Sequence, residues 1–382
     1  MNIVFVGLSG VPYSKRACDS RLEAIANLLS YTEDVVILNR YSAKKRDNLD
    51  IGLASKVIIR EIIKHRSTSN YVTVILFLLS ILYEPFVLFS MRRKRRIDFL
   101  HLYSGHFFDF VFYYIISRFL GAKVVYEYVE LRSEKMARPN LYHRINNWLC
   151  EKYGPYLWDS CIVISDFLKQ EVNKVTPNLP VIKVTPLCDF NQFESNKQDV
   201  EIDGSYLMFC GSAGYFEVVK IIIDSYNKSI SKSKRKLLLV LRGSNEQIRK
   251  VHEYDSSIMI LSDLSYEKLI AYYKHAFALL IPLRGTLEDA ARFPNKVCEY
   301  TASHGLIVTT DFGEMKCFFQ DGNNAVVAKS FNVDSIARCL DDIENGKYDL
   351  CRIKENSFQT GKENFSIYSY REKLPTFLKD NR

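Results

Sequence analysis

Short apolar, β-branched runs alternate with longer stretches of helical periodicity along the whole chain. In the first half these runs predict strands at Asn2–Gly7, Asp34–Asn39, Phe99–Leu102, Lys123–Tyr128, Ser160–Ser165 and Val181–Val184. In the second half they predict strands at Ser205–Cys210, Lys236–Leu241, Ile258–Leu261, Phe277–Pro282, Leu306–Thr309 and Ala325–Ala328. Most are apolar throughout rather than alternating, the pattern of parallel strands covered on both faces. Segments such as Lys15–Leu29, Phe107–Phe119, Ser265–Lys274 and Asn295–Ser303 have helical spacing and supply the crossovers. This alternation predicts an α/β protein with open, doubly wound sheets.

The pattern restarts near residue 204. The stretch Asp189–Gly204 (DFNQFESNKQDVEIDG) is polar and poor in apolar residues, as an interdomain linker would be. Two Rossmann-like domains are therefore expected, residues 1–195 and 204–364. Ligands of open α/β sheets bind beyond the carboxyl ends of the strands. The expected site is a cleft between two facing parallel sheets.

Composition is globular, with 47% hydrophobic and 25% charged residues, which excludes disordered and low-complexity classes. The net charge of +8 becomes informative once located, because residues 41–100 carry twelve Lys or Arg against five Asp or Glu. The same window holds the most apolar stretch, Tyr71–Met91, interrupted by Glu84-Pro85 and followed by the basic run Arg92–Arg96. A membrane span needs roughly twenty apolar residues. Only thirteen uncharged residues precede Glu84 here, and a span would part Asn2–Asn39 from Phe99 onward.

Two readings of this region remain. It is a helix or helical hairpin packed on the first sheet with a solvated basic run, or an interfacial segment, residues 71–96, lying against an anionic membrane surface. Each basic residue near such a surface contributes about 1 kcal/mol. The adjacency of apolar surface and positive charge favours the second. Nucleic acid is not expected as a partner, since the charge abuts a nearly unbroken apolar block. The nine cysteines are odd in number and scattered without a CxxC pair, which points to free thiols in a reducing compartment. The opening MNIVFVG has no secretory pattern, so a cytoplasmic location is expected.

The stretch Leu279–Val308 (LLIPLRGTLEDAARFPNKVCEYTASHGLIV) carries the candidate chemistry. A strand ends at Pro282, a loop follows, and Pro294 stands where a helix opens, an end suited to a phosphate. Lys296 adds a charge for a diphosphate. Glu299, on the same helical face, can accept from two vicinal hydroxyls such as those of a ribose. By spacing alone, Lys296 and Glu299 are equally an ordinary helical ion pair.

These residues resemble the nucleotide-sugar site of the group 1 (family 4) retaining glycosyltransferases of GT-B fold. The segments IPL, RFPNK, CEY, TASHG and LIVTT fall in the family's order, followed by DFGE and DGNNAVV. SGVP, DSCIVISDFLKQEV, VTPLCDFNQF and FCGSAGY resemble further family elements, so the likeness covers most of the chain. It implies that Glu299 binds the ribose, that backbone around Phe293, Pro294, Asn295 and Lys296 holds the diphosphate, and that Leu264 holds the base. Gly10 and Gly211 belong to glycine-rich loops where backbone approaches the donor. Helix 365–380 is expected to cross back to the first domain.

Two departures accompany the likeness. The family carries a second Glu eight positions before the ribose Glu, where this chain has Ala291, with Glu288 and Asp289 as the neighbours that would substitute. The loop after Cys210 has no basic residue before Lys220, and Arg242 is the candidate to replace it. On the acceptor side, His106 and Glu130 are the candidate catalytic residues, with Glu127 close by in VVYEYVE and with a structural histidine and a solvated carboxylate as their bland alternatives. The resemblance implies transfer from a nucleotide diphosphate-sugar co-substrate, with retention and without a metal or other cofactor. The expected acceptor is a glycan or lipid-linked glycan in bacterial surface polysaccharide assembly, at the inner face of the membrane. The alternative is a GT-B-like binding or scaffold subunit without catalysis. A dinucleotide-dependent oxidoreductase lacks support, because no GxGxxG follows a predicted strand.

Overall fold

The computed structural model describes residues 1–11, 17–41, 54–64, 70–132 and 140–382. The chain forms two compact units, one of Met1–Leu187 with Ile367–Arg382, the other of Cys188–Ser366. The first holds a seven-stranded sheet of order β3-β2-β1-β4-β5-β6-β7. Its strands are β1 (Asn2–Leu8), β2 (Asp34–Tyr41), β3 (Ile58–Ile63), β4 (Phe99–Leu102), β5 (Lys123–Tyr128), β6 (Ser160–Val163) and β7 (Val181–Lys183). The second holds a six-stranded sheet of order β10-β9-β8-β11-β12-β13. Its strands are β8 (Tyr206–Ser212), β9 (Lys236–Arg242), β10 (Met259–Leu261), β11 (Ala278–Ile281), β12 (Ile307–Thr310) and β13 (Val326–Ala328).

Every pairing in both sheets is parallel. This explains the unbroken apolar runs, because helices cover both faces of each sheet. In each unit the order reverses beside the first strand, at β1/β4 and at β8/β11, the kind of switch point where open sheets bind ligands.

Edge strand β3 has no counterpart among the predicted strands. Its sequence, IIREII, places Arg60 and Glu61 mid-strand and its residues are only partly buried, as suits a blunted sheet edge. The stretch read as a linker begins within the second unit. Asp189 caps the short helix Phe190–Ser195, Phe193 is buried, and Lys274 Nζ donates to the carbonyls of Phe193 (3.0 Å) and Asn196 (2.6 Å). The closing helix Lys373–Asp380 belongs to the first unit. Leu374 and Leu378 join Ile3, Phe5, Leu22, Ile25 and Phe99 in one buried cluster.

Candidate functional site

At the carboxyl edge of the second sheet, strand ends converge on the helix Lys296–Ala302. The Tyr300 hydroxyl accepts from Cys210 N at 3.1 Å, which ties the end of β8 to this helix. Ser212 pairs with Arg242, so Gly211 and Arg242 lie at neighbouring strand ends. Lys296 Nζ sits 2.7 Å from Glu299 Oε2, and the Tyr273 hydroxyl donates to the same oxygen at 3.0 Å. Glu299 is buried, Tyr273 fully so, and the Tyr273 and Tyr300 rings meet edge-on at 5.2 Å.

The electrostatics keep this cluster polarised. Burial pulls the Lys296 pKa down and nearby Arg242 adds to that pull, but Cys210 and Glu299 outweigh both, so Lys296 stays an ammonium. Burial, followed by Cys210 and Glu299, drives the Tyr273 phenol well above its ordinary range, so it remains a donor. Leu264 follows β10 and directly succeeds Asp263, a non-glycine residue with a left-handed φ of 55°. Ser265 then caps the helix Tyr266–His275 by accepting from Lys268 N.

The turn before Lys296 is anchored by an aromatic side chain. Phe293 is buried, stacks on Phe318 at 5.4 Å and meets Phe365 edge-on at 5.5 Å. Its ring belongs to the core, which leaves its backbone as the part available to a ligand. Pro294 accepts from Val297 N at 3.1 Å, and Asn295 occupies the N-cap position without a side-chain cap bond.

The loop after β11 is a charge clamp. Thr310 Oγ1 accepts from Leu283 N and donates to Leu283 O, both at 2.8 Å. Asp289, fully buried, takes Arg284 through its backbone N, Nε and Nη2 and pairs with Arg292 Nη2 at 2.6 Å. Glu288 accepts from Arg284 Nη2 and from the Tyr215 hydroxyl at 3.0 Å. Asp289 and Glu288 are thus both engaged within the loop, and Ala291 itself is buried. Gly313 of DFGE lies where a Cβ would come within 2.9 Å of Asp289 O, at a φ of 56°, so a side chain there would push this loop away.

In the first unit, Gly7 and Gly10 both have positive φ, and a Cβ on Gly7 would meet Leu102 and the Tyr103 carbonyl at 3.0 Å. Asn39 holds Val11, the residue after Gly10, by accepting from its N (3.1 Å) and donating to its O (2.7 Å). His106 is exposed at the head of the helix Phe107–Leu120, with Nδ1 3.4 Å from the Tyr142 hydroxyl. Although the residue keeps some contact with water, partial desolvation of the ring is the main cause that lowers its pKa, which favours the neutral imidazole at pH 7. Glu130 lies beyond the end of β5, half-buried. Glu127 is core instead: it takes Arg21 Nε at 2.6 Å and His101 Nε2 at 3.1 Å, and His101 stacks on Phe5. Tyr273, Asn39 and Tyr113, whose hydroxyl accepts from Gly7 N at 2.9 Å, were not singled out by any motif.

Residues 204–345 match the family model described as glycosyl transferases group 1. No curated protein matches the chain. Among solved structures, a glycosyltransferase from Rickettsia africae is similar with a TM-score of 0.72 at 15% identity, covering 100% of this chain and 98% of its own. Sucrose-phosphate synthase from Thermosynechococcus elongatus is similar with a TM-score of 0.76 at 10% identity, over the same shares. HepE from Anabaena, solved in complex with UDP-glucose, is similar with a TM-score of 0.71 at 14% identity over 100% of both chains. Residues 204–345 thus match the group 1 glycosyltransferase model, and the chain along its full length is similar in fold to solved GT-B glycosyltransferases.

Proposed function

We propose that this protein transfers a sugar from a nucleotide diphosphate-sugar, with retention, to a glycan or lipid-linked acceptor in bacterial surface polysaccharide assembly. The observation that carries the reading is the buried Lys296–Glu299–Tyr273 cluster at the carboxyl edge of the second sheet. Glu299 Oε2 is engaged by Lys296 and Tyr273, and Oε1 is assigned to the ribose hydroxyls. Lys296, Arg242 and the backbone of Phe293–Lys296 are assigned to the diphosphate, Gly10 and Gly211 to close backbone approach, and Leu264 to the base.

In the reaction the bond from the anomeric carbon to the diphosphate oxygen breaks, and an acceptor oxygen takes its place on the same face. The departing diphosphate receives the acceptor's proton. Lys296 and Arg242 hold the negative charge that develops there, the term that most lowers such barriers. His106, as a neutral imidazole, and Glu130 are assigned to acceptor hydroxyls. The basic, apolar region 71–96 supports work at the inner face of a membrane.

Because HepE was solved with UDP-glucose, a uridine donor is the first to test. Calorimetric titration with a set of UDP-, GDP- and dTDP-sugars checks the reading. Binding of at least one donor, weakened in Glu299→Gln, is expected. Failure of every donor to bind would remove it.

A further inference from the structure

We propose that the outer face of the helix Asn70–Lys94 docks on an anionic bilayer, with the arginine pocket at its carboxyl end taking a lipid phosphate. The helix connects β3 to β4, which lie in one parallel sheet, so it crosses back over that sheet instead of spanning a membrane. Ser80, Glu84, Leu88 and Met91 form its buried stripe. Glu84 is anchored there by Arg40 Nε at 3.0 Å and by the Tyr113 hydroxyl at 2.6 Å.

The opposite stripe, Ile75, Leu78, Leu82 and Phe86, points to solvent, with Leu82 66% and Phe86 73% exposed. An 18-residue window of the segment Val74–Lys94 has a mean hydropathy of 2.1, yet only 22% of that window is buried. A core helix of that composition would be mostly covered. Two neighbouring helices also expose apolar side chains. The helix Phe107–Leu120 packs against this one and exposes Phe108, Ile115 and Phe119. The helix Leu141–Tyr153 packs in turn against that second helix and exposes Leu141, Ile145 and Trp148. Large apolar side chains left exposed in such number mark an interaction surface.

Charge selects the occupant. Phe89, Arg92, Arg93 and Arg96 line a pocket of about 400 Å³. Arg92 Nη2 leans to within 3.6 Å of the place where a side chain on Gly121 would begin, at the end of the second helix. Arg96 contacts Asp98 at 3.3 Å, whereas among the described residues no carboxylate pairs with Arg92 or Arg93. Guanidinium groups grip phosphates through paired N–H donors, and Phe89 offers an apolar wall beside them. A second copy of this chain would set the same arginines against each other across a two-fold interface. An anionic lipid surface satisfies the arginines and the apolar stripe together.

The test is flotation of the whole protein with vesicles of phosphatidylcholine, alone or with phosphatidylglycerol. Binding to the anionic vesicles, reversed by high salt, is expected. The exposed triple variant Arg92→Gln, Arg93→Gln, Arg96→Gln should partition on the order of a hundredfold less. Leu82→Ser with Phe86→Ser should lower binding by at least about tenfold, with circular dichroism unchanged in both. Equal binding to neutral vesicles, no flotation at low salt, or variants that float like the parent would overturn the proposal. So would inorganic phosphate binding without vesicle binding, or a dimer in light scattering that Leu82→Ser and Phe86→Ser dissolve. Flotation requires neither donor nor acceptor, so its outcome is separable from that of the transferase reading.

Discussion

Lys296 Nζ and Glu299 Oε2, one helical turn apart, meet at 2.7 Å with the carboxylate almost wholly withdrawn from water. An exposed pair at this spacing would contribute a few tenths of a kcal/mol. Here the Tyr273 hydroxyl also feeds the carboxylate, which fixes its orientation and commits one oxygen. Glu299→Gln keeps the shape but removes the charged acceptor. Donor affinity is expected to fall roughly ten- to hundredfold, the value of hydrogen bonds to a charged group. Calorimetry alongside circular dichroism checks this, with the fold retained.

The clamp of Asp289 on Arg284 and Arg292 shapes the loop that leads to Lys296. Asp289→Ala leaves two partly buried guanidinium groups short of a partner. A loss of about 3 kcal/mol in urea unfolding is expected, with a raised KM for the donor. An Asp289→Ala protein with the parent's stability would show the loop to be held by other contacts.

Glu84 and Arg40 are 44 residues apart in sequence and buried together, with Asp109 completing the network at 2.6 Å from Arg40. Glu84→Ala strands part of that charge in the core. It should cost about 3–5 kcal/mol, far more than any exposed substitution on the same helix. Paired denaturation curves of Glu84→Ala and Leu82→Ser check the contrast, and equal midpoints would contradict it.

One carboxyl sets a pH dependence. Burial, with Asp19 adding, pushes Glu23 up from 4.5 to about 7. The folded chain therefore keeps a proton that the unfolded chain releases above 4.5. The stability this contributes is full below 4.5 and is lost as pH rises toward 7, at up to about 1.4 kcal/mol per pH unit. Glu23→Gln should flatten the stability profile between pH 5 and about 7.5, measured by urea unfolding. A profile unchanged by the substitution would contradict the assignment.

The parallel strands were legible because burial on both faces writes an unbroken apolar run, as in LLLVLR of β9. The edge strand β3 escaped because a solvated edge tolerates Arg60 and Glu61. In the site, Lys296 and Glu299 were legible from a local motif. Tyr273 was not, since its bond to Glu299 spans 26 positions and depends on how two helices pack. Asp289 marks the opposite limit. It sits in the motif loop, yet packing commits its carboxylate to Arg284 and Arg292. The charge-rich window was legible as composition, and the fold added which side of the helix Asn70–Lys94 faces outward.

Transfer itself is the most direct measurement. Purified protein, incubated with the nucleotide sugar that binds and with a membrane glycolipid extract as acceptor, should release the nucleoside diphosphate in step with glycosylated product. Proton NMR of that product should show the anomeric configuration of the donor, and Glu299→Gln should slow release at limiting donor. Product of inverted configuration, or a bound donor that is never turned over with any acceptor, would contradict the account.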